Sequence, residues 1–208
     1  MIYLCRHGET PSNRERRLQG RMETSLTPLG ERQAAAMADL LHDLVSRDPP
    51  QPWRLISSPM RRARATAGAI AARLGLPVEV DERLVEIHVG AWEGLLRSDL
   101  ERTHPEVFTD SEWLFRSPGG ETYEDVMGRV GGWLAEQADE PERRLIVVSH
   151  GVAGRLLRGA YARLSRGDVI RSDAPQDAIF RLAGGRLDRL ACAPVDCELE
   201  TPPQSGCD

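Results

Sequence analysis

The chain contains 208 residues, 40% of them hydrophobic, which is enough for one domain that buries about 70% of its unfolded surface. Its 27 basic and 32 acidic residues are mixed along the chain and give a formal net charge of -5, without the basic stripe that binds nucleic acid. The N-terminal apolar run turns polar after residue 5, too soon for a signal peptide or a membrane span, so we expect a cytoplasmic protein with neither nucleic-acid nor membrane partners.

In the first part of the chain, short apolar runs alternate with stretches of helical period. Residues 2–5 predict the first strand. Thr27 is a good N-cap and should begin a helix. A second strand is predicted at residues 53–57, and the helix at 59–74 should end at Gly75, because glycine favours the left-handed conformation found there.

Residues 85–121 lose clear periodicity and carry many turn residues, which predicts a partly helical excursion. The other elements of this half are, in chain order, a short strand at 78–80, a helix after Thr122, a buried strand at 145–148, a helix at 152–163 and a hairpin of strands 179–182 and 187–190. Glycines at 128, 131 and 132 fall inside the helical pattern after Thr122, where we expect them to permit close packing.

Alternating strands and helices are typical of an α/β fold. We therefore predict a three-layer α/β/α sandwich with a mainly parallel central sheet, formed by residues 1–192. Residues 193–208 are polar, acidic and proline-bearing, which predicts a disordered tail. The cysteines are expected to be free thiols, with a Cys197–Cys207 disulfide as the alternative. The sequence leaves the oligomeric state open, and a homodimer is one possibility.

Three polar groups follow predicted strands. Arg6 and His7 come after the first strand, Arg61-Arg62 begins the helix after the second, and His150-Gly151 follows the buried strand. In parallel α/β sheets, ligands bind at the carboxyl ends of the strands, where helix N-termini attract anions. The sequence therefore predicts a phosphate site at this edge.

Phosphoryl transfer needs a nucleophile, stabilisation of charge and protonation of the leaving group. A neutral His7 imidazole can be the nucleophile if its other ring nitrogen donates to a backbone carbonyl. Arg6 and Arg62 can each offer a planar fork to phosphate oxygens, and a protonated His150 would be a third cation. None of these residues is a carboxylic acid, so the group that protonates the leaving oxygen must lie elsewhere in the chain.

Five segments together resemble the histidine phosphatase superfamily, which includes cofactor-dependent phosphoglycerate mutases, α-ribazole phosphatases and broad-specificity acid phosphatases. The segments are Arg6-His7-Gly8-Glu9-Thr10, Leu18-Gln19-Gly20 with Leu26-Thr27-Pro28-Leu29-Gly30, Ser57-Ser58-Pro59-Met60-Arg61-Arg62-Ala63, Glu86 with Trp92-Glu93-Gly94, and Val148-Ser149-His150-Gly151. The similarity extends over about residues 2–191, and its register selects Arg62 over Arg61.

The resemblance implies a role for each matching residue. His7 would become phosphohistidine, and Glu86 would protonate the leaving oxygen and then activate water. The residues implied in binding the transferring phosphate or the substrate are Arg6, Asn13, Gln19, Gly20, Arg62, His150 and Gly151. Only the family register favours Glu86 over its acidic neighbours in sequence. Neither a metal nor a cofactor is expected, because His7 and His150 lack the short spacing of metal ligands.

We therefore expect a phosphatase that hydrolyses a small phosphomonoester. One alternative is a cofactor-dependent phosphoglycerate mutase with the same catalytic groups, and another is a regulatory or binding module with little turnover. The Pro118-Gly119-Gly120-Glu121 segment resembles the phosphatase branches. Substrate specificity should depend on residues 95–120, where Phe108, Trp113 and Phe115 are candidates to line a pocket or to belong to the core.

Overall fold

The computed structural model describes residues 1–47, 52–137 and 143–195. In these ranges the strands are β1 (Ile2–Arg6), β2 (Arg54–Ser57), β3 (Val78–Val80), β4 (Leu145–Ser149), β5 (Ala178–Ala183) and β6 (Arg186–Ala191). The α-helices are α1 (Pro11–Arg14), α2 (Pro28–Val45), α3 (Arg61–Leu74), α4 (Arg97–Thr103), α5 (Tyr123–Ala135), α6 (Gly151–Ala162) and α7 (Arg166–Arg171). In the described ranges, no helix is both long and apolar enough to cross a bilayer.

These strands form a single sheet in the order β3-β2-β4-β1-β5-β6. β1, β2, β3 and β4 pair in parallel, whereas β5 and β6 add an antiparallel edge. Arg6 is paired with Ser149, and Ser57 with Val148. This register brings the carboxyl ends of β1, β2 and β4 side by side.

Alternating side chains divide the core between the two faces of the sheet. Leu4 and Val147 face one cluster, which is covered by α5 and α6. Tyr3 and Ile146 face the other cluster, which is covered by α2 and α3. Helices thus cover both faces of a mainly parallel sheet, which confirms the predicted three-layer class.

Gly8 and Gly30 explain how the loop after β1 can lie against the start of α2. A Cβ atom at Gly8 would lie 2.2 Å from the carbonyl oxygen of Gly30, and one at Gly30 would lie 2.1 Å from that of Glu9. Both distances are far inside van der Waals contact, so any side chain would force the backbones apart. The two glycines therefore fix the path of the loop that follows His7.

Most predicted elements are present with their ends moved by one or two residues, but two differences are informative. The short helices α1 and α7 were not predicted. The expectation of close packing at Gly128, Gly131 and Gly132 is wrong, because a Cβ atom at any of them would have no other element of the described ranges within 4 Å. The predicted tail lies outside the described residues from position 196 onward, and so do Cys197 and Cys207.

Candidate active site

His7 is buried directly after β1, and both of its ring nitrogens have partners. Nδ1 lies 2.8 Å from the carbonyl oxygen of Gly8, which can only accept, so this nitrogen carries the proton. Nε2 accepts from the Arg62 Nε–H at 3.2 Å. Burial lowers the pKa of His7 well below its usual value, and the neighbouring His150 ring, followed by the positive charges of Arg6 and Arg62, lowers it further. The imidazole is therefore neutral, with its lone pair on Nε2.

Arg62 is almost fully buried in the first turn of α3. Its two terminal nitrogens donate to the carbonyl oxygens of Met22 at 2.7 Å and Gly20 at 2.8 Å. The guanidinium is thus fixed by the loop before α2, with Nε–H aimed at His7. A group that approaches His7 Nε2 must replace this last hydrogen bond, and the Arg62 Nε–H could then donate to an anion beside His7.

His150 follows β4, with its ring centroid 5.1 Å from that of His7. Its Nε2 lies 2.7 Å from the hydroxyl of Ser58, whereas its buried Nδ1 has no hydrogen-bond partner in the structure. Burial and then the charges of Arg62 and Arg6 lower the pKa of His150 well below its usual value. His150 is therefore neutral in the free protein, and an Nδ1–H donor would remain for a ligand when the Ser58 hydroxyl donates to Nε2.

Arg6 ends β1 and turns toward the loop before β5. One terminal nitrogen donates to the carbonyl oxygen of Ala174 at 2.5 Å, and its buried Nε has no hydrogen-bond partner in the structure. Burial lowers the pKa of this guanidinium, and nearby Glu86 opposes the shift. A buried N–H group without an acceptor costs free energy. The Arg6 Nε–H could therefore donate a hydrogen bond to an anion bound beside it.

Glu86 occupies the N-terminus of α6. Its carboxylate accepts from the backbone N–H groups of Val152 and Ala153 at 3.0–3.1 Å, and from its neighbour Ile87 at 3.0 Å. Burial raises the pKa of Glu86, but these three donors and the positive charge of Arg62 together outweigh burial, and the net pKa is lowered. In the free protein Glu86 is ionised and occupies the place that a helix N-terminus offers to a phosphate.

Asn13 lies in α1, which Thr10 begins as part of a capping box. The Asn13 Oδ1 accepts from the Thr10 N–H at 3.2 Å and from the Gln176 side chain at 3.0 Å. With Oδ1 used twice, the amide Nδ2 remains for the pocket that Asn13 lines. Gln19 and Gly20 line the same pocket, but the Gln19 amide is bonded to Thr10 and Thr24.

Sequence analysis did not predict two further residues that line pockets here, Arg155 and Gln176. Arg155 lies one turn after Gly151 on α6 and donates to the carbonyl oxygens of Gly151 at 3.3 Å and Ile170 at 3.1 Å. Its spacing from Gly151 was a usable signal, because positions i and i+4 share a helix face. Gln176 offered none, since its loop returns to the site only through the pairing of β5 with β1.

Leu114 and Arg155 line both the pocket of about 350 Å³ around His7 and a second cavity of about 570 Å³, so the two cavities are neighbours. Phe108, Trp113 and Phe115 line this second cavity. The Phe108 and Trp113 rings lie 4.5 Å apart, centroid to centroid. These three aromatic residues of the excursion are therefore cavity-lining residues.

Four guanidinium groups, those of Arg6, Arg17, Arg62 and Arg155, and two carboxylates, those of Glu86 and Asp173, give this pocket a net positive charge around a neutral, fixed imidazole. Across the described ranges, no cluster of three or more His, Cys, Asp or Glu side chains could hold a metal ion. A pocket of this kind suits a phosphomonoester and defines the protein as a phosphoryl-transfer enzyme.

Comparison with known proteins specifies the family. A model of the histidine phosphatase superfamily (branch 1) matches residues 2–183. The chain is 35% identical over 176 residues to a glucosyl-3-phosphoglycerate phosphatase of Mycobacterium tuberculosis, with 78% of this chain and 75% of the relative covered. It is 34% identical over 164 residues to a probable phosphoglycerate mutase GpmB of Escherichia coli, with 73% and 70% covered.

Solved structures agree with the sequence comparison. A mycobacterial glucosyl-3-phosphoglycerate phosphatase in complex with VO3 superimposes with a TM-score of 0.75 at 30% identity, over 92% of this chain and 99% of that one. The chain belongs to the histidine phosphatase superfamily, and it is a phosphatase of that family. The resemblance predicted from the five sequence segments is confirmed.

Proposed function

We propose that the protein hydrolyses a small phosphomonoester with His7 as nucleophile and Glu86 as general acid and then general base. The observation that carries the proposal is the state of His7, whose protonated Nδ1 is held by the Gly8 carbonyl while the Nε2 lone pair faces the arginine-lined pocket. Arg6, Arg62 and His150 bind the transferring group, with Asn13 and the Gly151 N-terminus of α6 assisting them.

In the first step, His7 Nε2 attacks phosphorus and the bond to the ester oxygen breaks. That oxygen takes a proton from Glu86 and leaves as an alcohol. The bound phosphate prepares Glu86 for this role, because it competes for the N–H groups of Val152 and Ala153 and adds negative charge beside the carboxylate. Both effects raise the pKa of Glu86 from its depressed value in the free protein, so the carboxylate takes up a proton from solvent when the substrate binds and releases it to solvent when inorganic phosphate leaves.

The second step returns the protein to its starting state. A water molecule attacks the phosphohistidine, the phosphorus–nitrogen bond breaks, and the Glu86 carboxylate accepts the proton of the water. Inorganic phosphate leaves, and His7 regains its neutral form with the lone pair on Nε2. No electrons are exchanged, and no co-reactant other than water is required.

The test is phosphate release from p-nitrophenyl phosphate in the presence of EDTA, for the wild type and His7→Ala. His42→Ala is a matched control, since His42 is half-exposed on α2 and does not line the pocket around His7. We expect the wild type and the control to be active and His7→Ala to lose activity by at least about 10³-fold, the scale set by loss of a nucleophile. Equal activity in His7→Ala would refute the role of His7.

The second cavity narrows the range of candidate substrates. It favours an ester whose leaving group extends past Leu114 toward Phe108 and Trp113. Glucosyl-3-phosphoglycerate is the first ester to test, because the relatives described above are named for it. Exchange of residues 95–120 for the corresponding segment of another family member should change the ranking of such esters and leave p-nitrophenyl phosphate hydrolysis within about threefold. An unchanged ranking would place the specificity elsewhere.

A mutase would use the same groups and return the phosphoryl group to a sugar acid, and one relative named above is a probable phosphoglycerate mutase. With 3-phosphoglycerate and a bisphosphoglycerate primer, we expect hydrolysis to exceed isomerisation. Faster isomerisation would reassign the protein to the mutases.

A further inference from the structure

The segment that carries Glu86, residues 83–88, is held by charged side chains from other parts of the chain. Arg129 of α5 donates through Nη1 to the carbonyl oxygens of Arg83 at 2.8 Å and Val85 at 2.7 Å. Its Nε and Nη2 bind the two carboxylate oxygens of Glu121 at 3.0 and 3.2 Å. The side chains of Arg129 and Glu121 are only 14% and 17% exposed, so solvent screens this pair weakly.

Glu121 extends the hold to the other end of the segment. Its carboxylate accepts from the His88 N–H at 2.9 Å, and its own N–H donates to the His88 carbonyl at 2.8 Å. Arg21 binds Glu121 at 3.0 Å and donates through Nε to the carbonyl oxygen of Glu86 itself at 3.3 Å. Arg21, Glu121 and Arg129, here called the clamp, thus contact the backbone of residues 83, 85, 86 and 88.

We propose that the clamp positions the Glu86 carboxylate for proton transfer to the leaving group. This inference rests on the proposed function, because it assumes that Glu86 is the acid. None of the three clamp side chains lines the pocket around His7. They are therefore positioning residues, which act through the backbone of the Glu86 segment. Glu121 ends the Pro118-Gly119-Gly120-Glu121 turn, and this turn places its carboxylate between Arg129 and the His88 N–H.

The clamp has a signature that a purely structural role lacks. Protonation matters greatly for an alkyl leaving group and little for p-nitrophenolate, which departs without a proton. A displaced acid therefore slows hydrolysis of glycerol 2-phosphate more than that of p-nitrophenyl phosphate. The ratio of kcat/KM for the two esters measures the placement of Glu86, because kcat/KM reports the steps through departure of the leaving group.

The experiment compares this ratio in the wild type, Glu121→Gln, Arg129→Met and the reference variant Glu86→Gln. Asp39→Asn and Arg73→Met are matched controls, because they break an exposed ion pair of 2.8 Å between α2 and α3. We expect Glu121→Gln and Arg129→Met to lower the glycerol 2-phosphate to p-nitrophenyl phosphate ratio by about 10- to 100-fold, the scale of a misplaced catalytic group, with the controls unchanged.

Each other outcome has a definite meaning. If Glu86→Gln lowers the ratio and both clamp variants leave it unchanged, the clamp proposal is wrong and the proposed function stands. If Glu86→Gln leaves the ratio unchanged, the acid is misassigned and both proposals fail. Should Arg129→Met not fold, Arg129→Lys replaces it, because lysine keeps the charge but cannot reach two carbonyls and a carboxylate at once.

Discussion

Two hydrogen bonds divide the roles of the nitrogens in His7. The Gly8 carbonyl can only accept, and the Arg62 Nε–H can only donate, so each partner excludes the other tautomer. The low pKa of His7 and its fixed tautomer have different origins. The pKa is lowered by burial and by neighbouring charged groups, whereas the tautomer is fixed by these two hydrogen bonds. A nucleophile prepared in this way needs no base to remove a proton from the attacking nitrogen.

Gly151 leaves open space beside Arg6 and Glu86, at the place where we propose that the phosphate binds. A Cβ atom there would lie 3.5 Å from both Arg6 Cζ and Glu86 Oε2, in ordinary van der Waals contact. We expect Gly151→Ala to fold with unchanged or higher Tm, because alanine favours a helix, but to raise KM for p-nitrophenyl phosphate about tenfold or more by placing a methyl group in the anion site. Thermal melts and steady-state kinetics on one preparation check both parts, and an unchanged KM would mean that the phosphate lies elsewhere.

At the scale of elements, α5 contains three glycines that its packing does not require. Among the described residues, no other element lies within 4 Å of a Cβ atom added at 128, 131 or 132. Glycine in a helix interior costs about 0.5–1 kcal/mol relative to alanine. Gly128→Ala, Gly131→Ala and Gly132→Ala should therefore each raise the free energy of unfolding by about that amount, measured by urea denaturation at constant m-value. A loss of stability in any of them would reveal a packing constraint at that glycine.

The same helix shows where sequence reasoning succeeds and where it stops. Periodicity and caps predict α2, α3 and α5, because each has a long apolar stripe and a Thr27, Gly75 or Thr122 signal. They miss α1 and α7, which have four and six residues and are therefore too short to display a helical period. They also cannot distinguish a glycine that permits contact from one that is merely present, since that depends on which element lies opposite.

For the site, the sequence locates the residues that follow strands, and the family register adds those in loops. It cannot reveal that Gln176 holds Asn13 or that Arg129 holds the Glu86 segment. These contacts join positions far apart in the chain through the pairing order of the sheet and the packing of α5. Such relations depend on the assembled layers and leave no mark on local periodicity.

At the scale of the whole molecule, the active site opposes stability in acid. His7 and His150 are buried next to each other among arginines, and burial keeps the pKa of both well below 6.5. In the unfolded chain both would titrate near 6.5. As the pH falls below 6.5, the unfolded state therefore binds two protons that the folded state does not, and the free energy of unfolding decreases.

Each histidine should contribute a slope of up to about 1.4 kcal/mol per pH unit between the unfolded pKa and the depressed folded pKa. We expect urea denaturation from pH 6.5 to 5 to show a steep loss of stability in the wild type and a shallower one in His7→Asn and in His150→Asn. Ile70→Val, a buried substitution that removes no titratable group, is the control and should keep the wild-type slope. Since slopes are compared, a uniform destabilisation by either substitution does not affect the result. Equal slopes in all variants would show that the two buried histidines take up protons in the folded protein, and the neutral nucleophile inferred for His7 would then be wrong.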